Sequence, residues 1–259
     1  MIGSWWRQRR VERALRERAV PDELWLETLR AFPFLTWRPM ADLMALREMS
    51  SLFLDRKEFT VTGDLVLSDE MAVAVAAQAC LPVLHLGLDW YDAFIGIVIH
   101  PGEVVAQREW MDDSGVVHEG EEVLSGEAMP GGPVMLSWHD VRMAGSTTEL
   151  VYNVVIHEFA HVLDMRDGQP ADGIPPLGDP ALAERWHALM QDEMTALQAA
   201  VDRGEDTLID PYATQGLSEF FPVASEAFFV APDGLRRRHP ALYDMLGRFY
   251  RQDPASFRR

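Results

Sequence analysis

The sequence predicts an α+β fold: short strands in the middle of the chain and helices through its C-terminal half. Two patterns carry this expectation. Between residues 94 and 138, β-branched and aromatic runs are punctuated by Gly and Pro, whereas after His139 the apolar spacing turns helical. Composition is the third observation. In 259 residues, 48% are hydrophobic and 25% charged, enough for a full core and unlike a disordered chain. A strand-containing first part followed by a helical second part is the pattern of an α+β protein.

In chain order, Trp5 to Arg18 reads as a basic helix with Glu12/Arg16 and Arg13/Glu17 at four-residue spacing. It fits a solvated terminal helix; a membrane-surface helix would use Trp and Arg in the same way. Leu24 to Leu29 and Met40 to Leu54 read as amphipathic helices. Phe59-Thr60-Val61 and Leu65-Val66-Leu67, flanking Gly63-Asp64, carry a hairpin signal, and Ser68 precedes an apolar, small-residue helix, Met71 to Cys80. Strands are expected at Phe94 to Ile99, Glu103 to Ala106, Val116 to His118, Val123-Leu124 and Val134 to Trp138. The last of these is the expected sheet edge, where an extended chain could add. Helices are then expected at Thr147 to Met165, Pro180 to Arg203, Ser218 to Val230 and Pro240 to Tyr250. With no repeats and no long linker, the expected organisation is a basic segment, 1–20, and a single domain, 21–259.

Charge and cysteine content narrow the function. The net charge of −18 disfavours direct nucleic-acid binding, because phosphate contacts need clustered positive charge. The lone Cys80 excludes an internal disulfide and points to a reducing compartment. The opening residues lack a signal peptide's uninterrupted apolar stretch, and the apolar region Met71 to Ile99 is broken by Gln78, Pro82, His85 and Asp89. A cytoplasmic protein without a membrane span is expected.

One segment carries chemistry: His157-Glu158-Phe159-Ala160-His161, an H-E-x-x-H motif. Ser146-Thr147-Thr148-Glu149 upstream reads as a capping box and Gly168 as a stop, which places the motif in mid-helix. On a helix, His157 and His161 project from one face and can share a Zn²⁺ ion. Asn153, His157, His161 and Asp164 form a polar stripe through an otherwise apolar helix, and such a stripe needs partners. Glu158, offset by about 100°, can face a metal-bound water as a general base without being a ligand. The extended three-histidine pattern is excluded, since Asp164 and Asp167 stand where its Gly and last His belong. The third ligand must come from elsewhere. Glu219 and Glu226, seven apart on a strongly apolar helix, are candidates, with a solvated stripe as the alternative reading. Tyr212, after Asp210-Pro211, is either a turn tyrosine or a hydroxyl donor to a developing oxyanion. His118 reads as a strand or loop histidine, or a further ligand.

The residues also support a resemblance. Leu81 to Trp90, Val116 to His118, Ile156 to Asp164, Tyr212-Ala213, Ser218 to Phe221, Ser225-Glu226 and Phe249 to Pro254 resemble the Mlc titration factor A family of zinc peptidases. That family is similar to the catalytic core of anthrax lethal factor, a gluzincin. The resemblance implies a zincin-like domain, with a small mixed sheet packed on the H-E-x-x-H helix, and one Zn²⁺ per chain. It implies His157 and His161 as ligands, Glu158 as the base, Glu219 as third ligand, Tyr212 as oxyanion donor and Glu226 behind the ligands. It matches His118 to a histidine that can reach the metal in a closed resting state. Aminopeptidase-like cleavage of short peptides is implied, as is binding of the glucose repressor Mlc. The rival readings are a non-catalytic protein that sequesters that repressor and a zinc-stabilised interaction protein. The sequence departs from the pattern at Gly216-Leu217-Ser218-Glu219, Pro222 and Ala227. Pro222 removes a backbone donor and can kink an interior helix.

Overall fold

The computed structural model describes residues 12–102, 104–111, 117–124, 126–129, 131–144 and 151–257, with 104–111 and 117–124 described by backbone alone. The architecture is α+β. Its first helix, α1, is described over residues 12–17, so most of the basic segment expected to be helical lies outside the described residues. Next come α2 (Asp22–Ala31), α3 (Met40–Arg56), β1 (Glu58–Val61) and α4 (Asp69–Cys80). Strands β2 (Gly96–His100), β3 (Val104–Met111), β4 (Val117–Leu124), β5 (Gly126–Ala128) and β6 (Val134–Ser137) follow. The rest is α5 (Trp138–Met143), α6 (Val154–Asp164), α7 (Pro180–Asp202), α8 (Leu217–Val230), α9 (Pro232–Arg238) and α10 (Pro240–Tyr250).

One mixed sheet has the order β1-β2-β6-β5, and β3 and β4 form a separate antiparallel ribbon. β1 pairs with β2 in parallel, Phe59 opposite Ile97, and β2 with β6 in parallel, Ile97 opposite Val134. Parallel neighbours need a crossover, and α4 lies within the first one. This overturns the expected hairpin at Gly63: residues 65–67 form no strand, because β1 finds its partner in β2. The edge is corrected too. Val134 to Ser137 is an inner strand, and the edge beside it is β5, antiparallel to β6, where the sequence offered only Gly126 as punctuation.

The sheet packs on α6, whose apolar side is almost wholly buried. Phe159 anchors that side, with ring centroids 5.0 Å from Tyr91, 5.7 Å from Phe94 and 5.8 Å from Phe53. Burying such a ring contributes about 2–3 kcal/mol. On the other side of α6 lies α8, itself surrounded by Trp186, Phe249 and Tyr250. The Tyr250 hydroxyl donates to Ser225 Oγ at 2.7 Å, which ties α10 to α8. Among the described residues, no helix is long and apolar enough to cross a membrane.

Candidate metal centre

Helix α6 starts later than its sequence suggests. Residues 151–153 are non-helical, and Asn153 caps the helix by accepting from the Ile156 N–H at 2.9 Å. The expected capping box at 146–149 lies outside the described residues. His157 is therefore in the first full turn of α6 and not in mid-helix. One turn on is His161, the two imidazole centroids 4.9 Å apart on the same face. Both rings face the N-terminal turns of α8, which carry Glu219.

Glu219 Oε2 lies 3.2 Å from His157 Nε2 and 3.5 Å from His161 Nε2. One ligand atom from each of the three residues falls within 4.8 Å of the others. Two imidazole nitrogens and a carboxylate oxygen converging in this way are a donor set for a divalent metal ion. Helix α8 begins at Leu217 and runs unbroken through Pro222. The proline leaves the Ser218 carbonyl without its usual helical donor but does not turn Glu219 away from the histidines. Glu226, two turns along, reaches the opposite nitrogen of the same ring: its Oε1 lies 2.7 Å from His157 Nδ1.

These contacts set the charges. Burial opposes the His157 imidazolium, but hydrogen bonds to Glu219 and Glu226 outweigh it and push the pKa up to about 10. Burial also opposes the Glu219 carboxylate, and the two histidines more than reverse this, holding it well below the usual carboxylate range. The proton on His157 Nε2 is the one a bound metal ion would replace. Beside them Glu158 is 5% exposed, and among the described residues its Oε2 has no hydrogen-bond partner. Burial pushes its pKa up to about 8; His157 opposes the shift, and the nearby Glu219, Glu226 and Glu127 add to it. A buried carboxyl with an idle oxygen and an affinity for protons near neutral pH is equipped to exchange them.

A cleft of about 380 Å³ opens onto His157, His161, Glu158 and Glu219. Its walls include β5, Tyr212, Met165 and the loop residues Pro170 and Ala171. Tyr212 is held in the short helix Pro211–Gln215, where Asp210 accepts its N–H at 2.8 Å, and its ring centroid lies 6.1 Å from that of His157. The loop wall is fastened to α6. Asp164 Oδ2 accepts from the Gly173 N–H at 2.7 Å, and the Gly173 carbonyl accepts from Trp186 Nε1 at 2.8 Å. Gly173 has a φ of 82° and lies against the Leu217 carbonyl, so a side chain there has neither the conformation nor the room.

The sequence model of the family described as glucose-regulated metallo-peptidase M90 matches residues 4–251. The chain belongs to this family. Similar proteins include Mlc titration factor A of Pectobacterium atrosepticum, 39% identical over 213 residues, covering 81% of this chain and 78% of the relative. Another is Mlc titration factor A of Yersinia pestis, 36% identical over 232 residues, covering 89% and 84%. In this M90 chain, His157, His161 and Glu219 meet at one point, with Glu158, Glu226 and Tyr212 around it. His118 lies in β4 opposite Trp110, and its side chain is outside the described residues. Two contributors went unread in the sequence. Gly126 passed as a turn residue, yet a Cβ there would sit 2.5 Å from Glu158 Oε1 and 2.6 Å from its Cγ. Gln78 passed as an interruption; a lone amide in an apolar helix was its signal.

Proposed function

We propose that this protein is a zinc-dependent peptidase that cleaves short peptides from a free amino end. The observation that carries the reading is the convergence of His157, His161 and Glu219 beside the buried carboxyl of Glu158. Two imidazoles and one carboxylate from an H-E-x-x-H helix and a later helix suit zinc, and His157, His161 and Glu219 would hold it. When bound, the metal supplies Lewis-acid polarisation and brings the pKa of a coordinated water toward about 7. Glu158 takes the proton of the attacking water and returns it to the leaving amine. The Tyr212 hydroxyl, on the cleft wall, donates to the developing oxyanion. The outer edge of β5 offers main-chain groups to an extended peptide, which orients the scissile bond along the cleft. The test is hydrolysis of matched short peptides with free and blocked amino ends. Cleavage of the free set alone is expected; cleavage of neither, by zinc-loaded protein, sinks the enzymatic reading.

Gly126 supplies a second check on Glu158. Gly126→Ala forces the carboxyl to move, and misplacement by about 1 Å costs about 100-fold in rate. Turnover should fall by that order while zinc content stays at one per chain. Undiminished turnover would separate Glu158 from the chemistry.

The names of the relatives favour a second role, binding of an Mlc-type repressor. In an acidic chain, the exposed Arg236, Arg237 and Arg238 in the last turn of α9 are the steering patch we assign to it. Replacing all three with Ala should slow association with the repressor about tenfold at low salt and leave peptide turnover intact. Equal association rates would remove the patch from the interface.

A further inference from the structure

Behind His157 runs a line of hydrogen bonds that leaves the cleft and ends in another helix. Gln78 of α4 is fully buried, and its Nε2 donates to the Ala74 carbonyl at 3.1 Å, so its Oε1 is turned outward as an acceptor. Asn153 Nδ2 donates to that oxygen at 2.8 Å. The Asn153 amide is thereby fixed with Oδ1 toward α6, where it caps the Ile156 N–H. Its own backbone N–H donates to Glu226 Oε2, and Glu226 Oε1 faces His157 Nδ1. Asn153 thus joins the two ends, its side chain held by Gln78 and its backbone N–H holding Glu226. With Glu226 ionised, both its oxygens accept, Oε2 from the Asn153 N–H and Oε1 from the His157 Nδ1–H, which leaves Nε2 as the nitrogen presented to Glu219 and His161.

We propose that Gln78 and Asn153 are positioning residues for the metal site: they lock Glu226, and through it the tautomer and aim of His157. This rests on the reading of His157 as a metal ligand. Capping alone does not account for the pair. A Ser, Thr or Asp at the cap would accept from Ile156 N–H equally well, and none of them needs a buried amide partner in α4. Gln78 is the only uncharged amide in the otherwise apolar and small-residue run Met71 to Cys80, and an amide there is costly unless both its ends are satisfied. Both ends are satisfied, one by its own helix and one by the residue that anchors Glu226. Groups behind a metal-bound histidine fix its orientation and strengthen its hold on the metal.

The test is Zn²⁺ affinity, measured by competition with a chelator, for the full chain and for Gln78→Met, Asn153→Ser and the double variant. Methionine keeps the volume and helix propensity of Gln78; serine keeps the cap and is too short to reach Gln78. Each single change should raise the zinc Kd about tenfold, the low end of the range for partners of metal ligands. Because both act through one hydrogen bond, the double variant should lose no more than the weaker-binding single one. In the zinc-loaded protein, the His157 Nδ1–H proton should exchange slowly in the unmodified chain and rapidly in the variants. Circular dichroism of the metal-free proteins identifies any variant that does not fold; if Gln78→Met is one, Asn153→Ser carries the comparison. Unchanged affinity in a folded variant, or losses that multiply in the double variant, would overturn the proposal. An unmodified chain that takes up no zinc defeats the metal reading itself, whereas tight zinc binding that is lost in Glu219→Ala and indifferent to Gln78 and Asn153 defeats only this inference.

Discussion

Glu158→Gln should retain the metal and lose about a thousandfold in peptide turnover, within the range expected when a positioned proton-transfer group is removed. Glutamine keeps the shape of the side chain but cannot take a proton. It should also fit the site comfortably. The Glu158 carboxyl is buried, its pKa is raised to about 8 from 4.5, and among the described residues one of its oxygens has no partner. For an acid with a raised folded pKa, the cost to stability is absent below the unfolded value and grows as pH rises toward the folded one. The metal-free glutamine variant should therefore melt above the unmodified chain by a margin that is small near pH 5 and larger at pH 8. Zinc content, turnover and melting at these two pH values check the argument together. Loss of zinc in this variant would make Glu158 a ligand and not a base.

The second large effect separates two glutamates on one helix. Glu219→Ala should empty the metal site, because among the described residues it removes the only carboxylate that meets both His157 Nε2 and His161 Nε2. Glu226→Ala should leave a site that still binds, weakened about 10–100-fold, because Glu226 touches His157 only through Nδ1. It should also cost stability, since the Asn153 N–H loses its acceptor in the interior. Metal titration of both variants decides the order. If Glu226→Ala loses the metal and Glu219→Ala keeps it, the roles are reversed.

How much of this was legible beforehand follows physical lines. The meeting of the two histidines could be read because four-residue spacing on a helix has one geometric meaning. The long helices α7, α8 and α10 were readable for the same reason of period. The start of α6 was misread because Ser146 to Glu149 has the composition of a cap, while the cap in use, Asn153, is chosen by partners 73 and 75 residues away. The pairing of β1 was misread because a glycine turn advertises a local partner, whereas a parallel sheet finds its partner beyond a crossover helix. Glu219 against Glu226 could not be decided by spacing: both share a face, and only the position of the His157 ring between them distinguishes the nitrogen each one meets. Gly126 was opaque for a further reason. Its significance is the room it leaves for a side chain 32 positions away, and no local pattern records an empty volume.

The fastening of Gly173 bears on how the cleft operates in time. Its N–H, its carbonyl and its missing side chain are each taken up by a different helix: Asp164 at the end of α6, Trp186 in α7 and Leu217 at the start of α8. Pro170 and Ala171, which line the cleft, are three and two residues from that fixed point. A wall so tethered, one of its cleft residues a proline, has little freedom to swing. Of the cleft's sides, this one would then keep its shape as a substrate enters, and any gating motion of microseconds to milliseconds would fall to the others. A side that does not yield would set a fixed limit on the width of chain that fits against it.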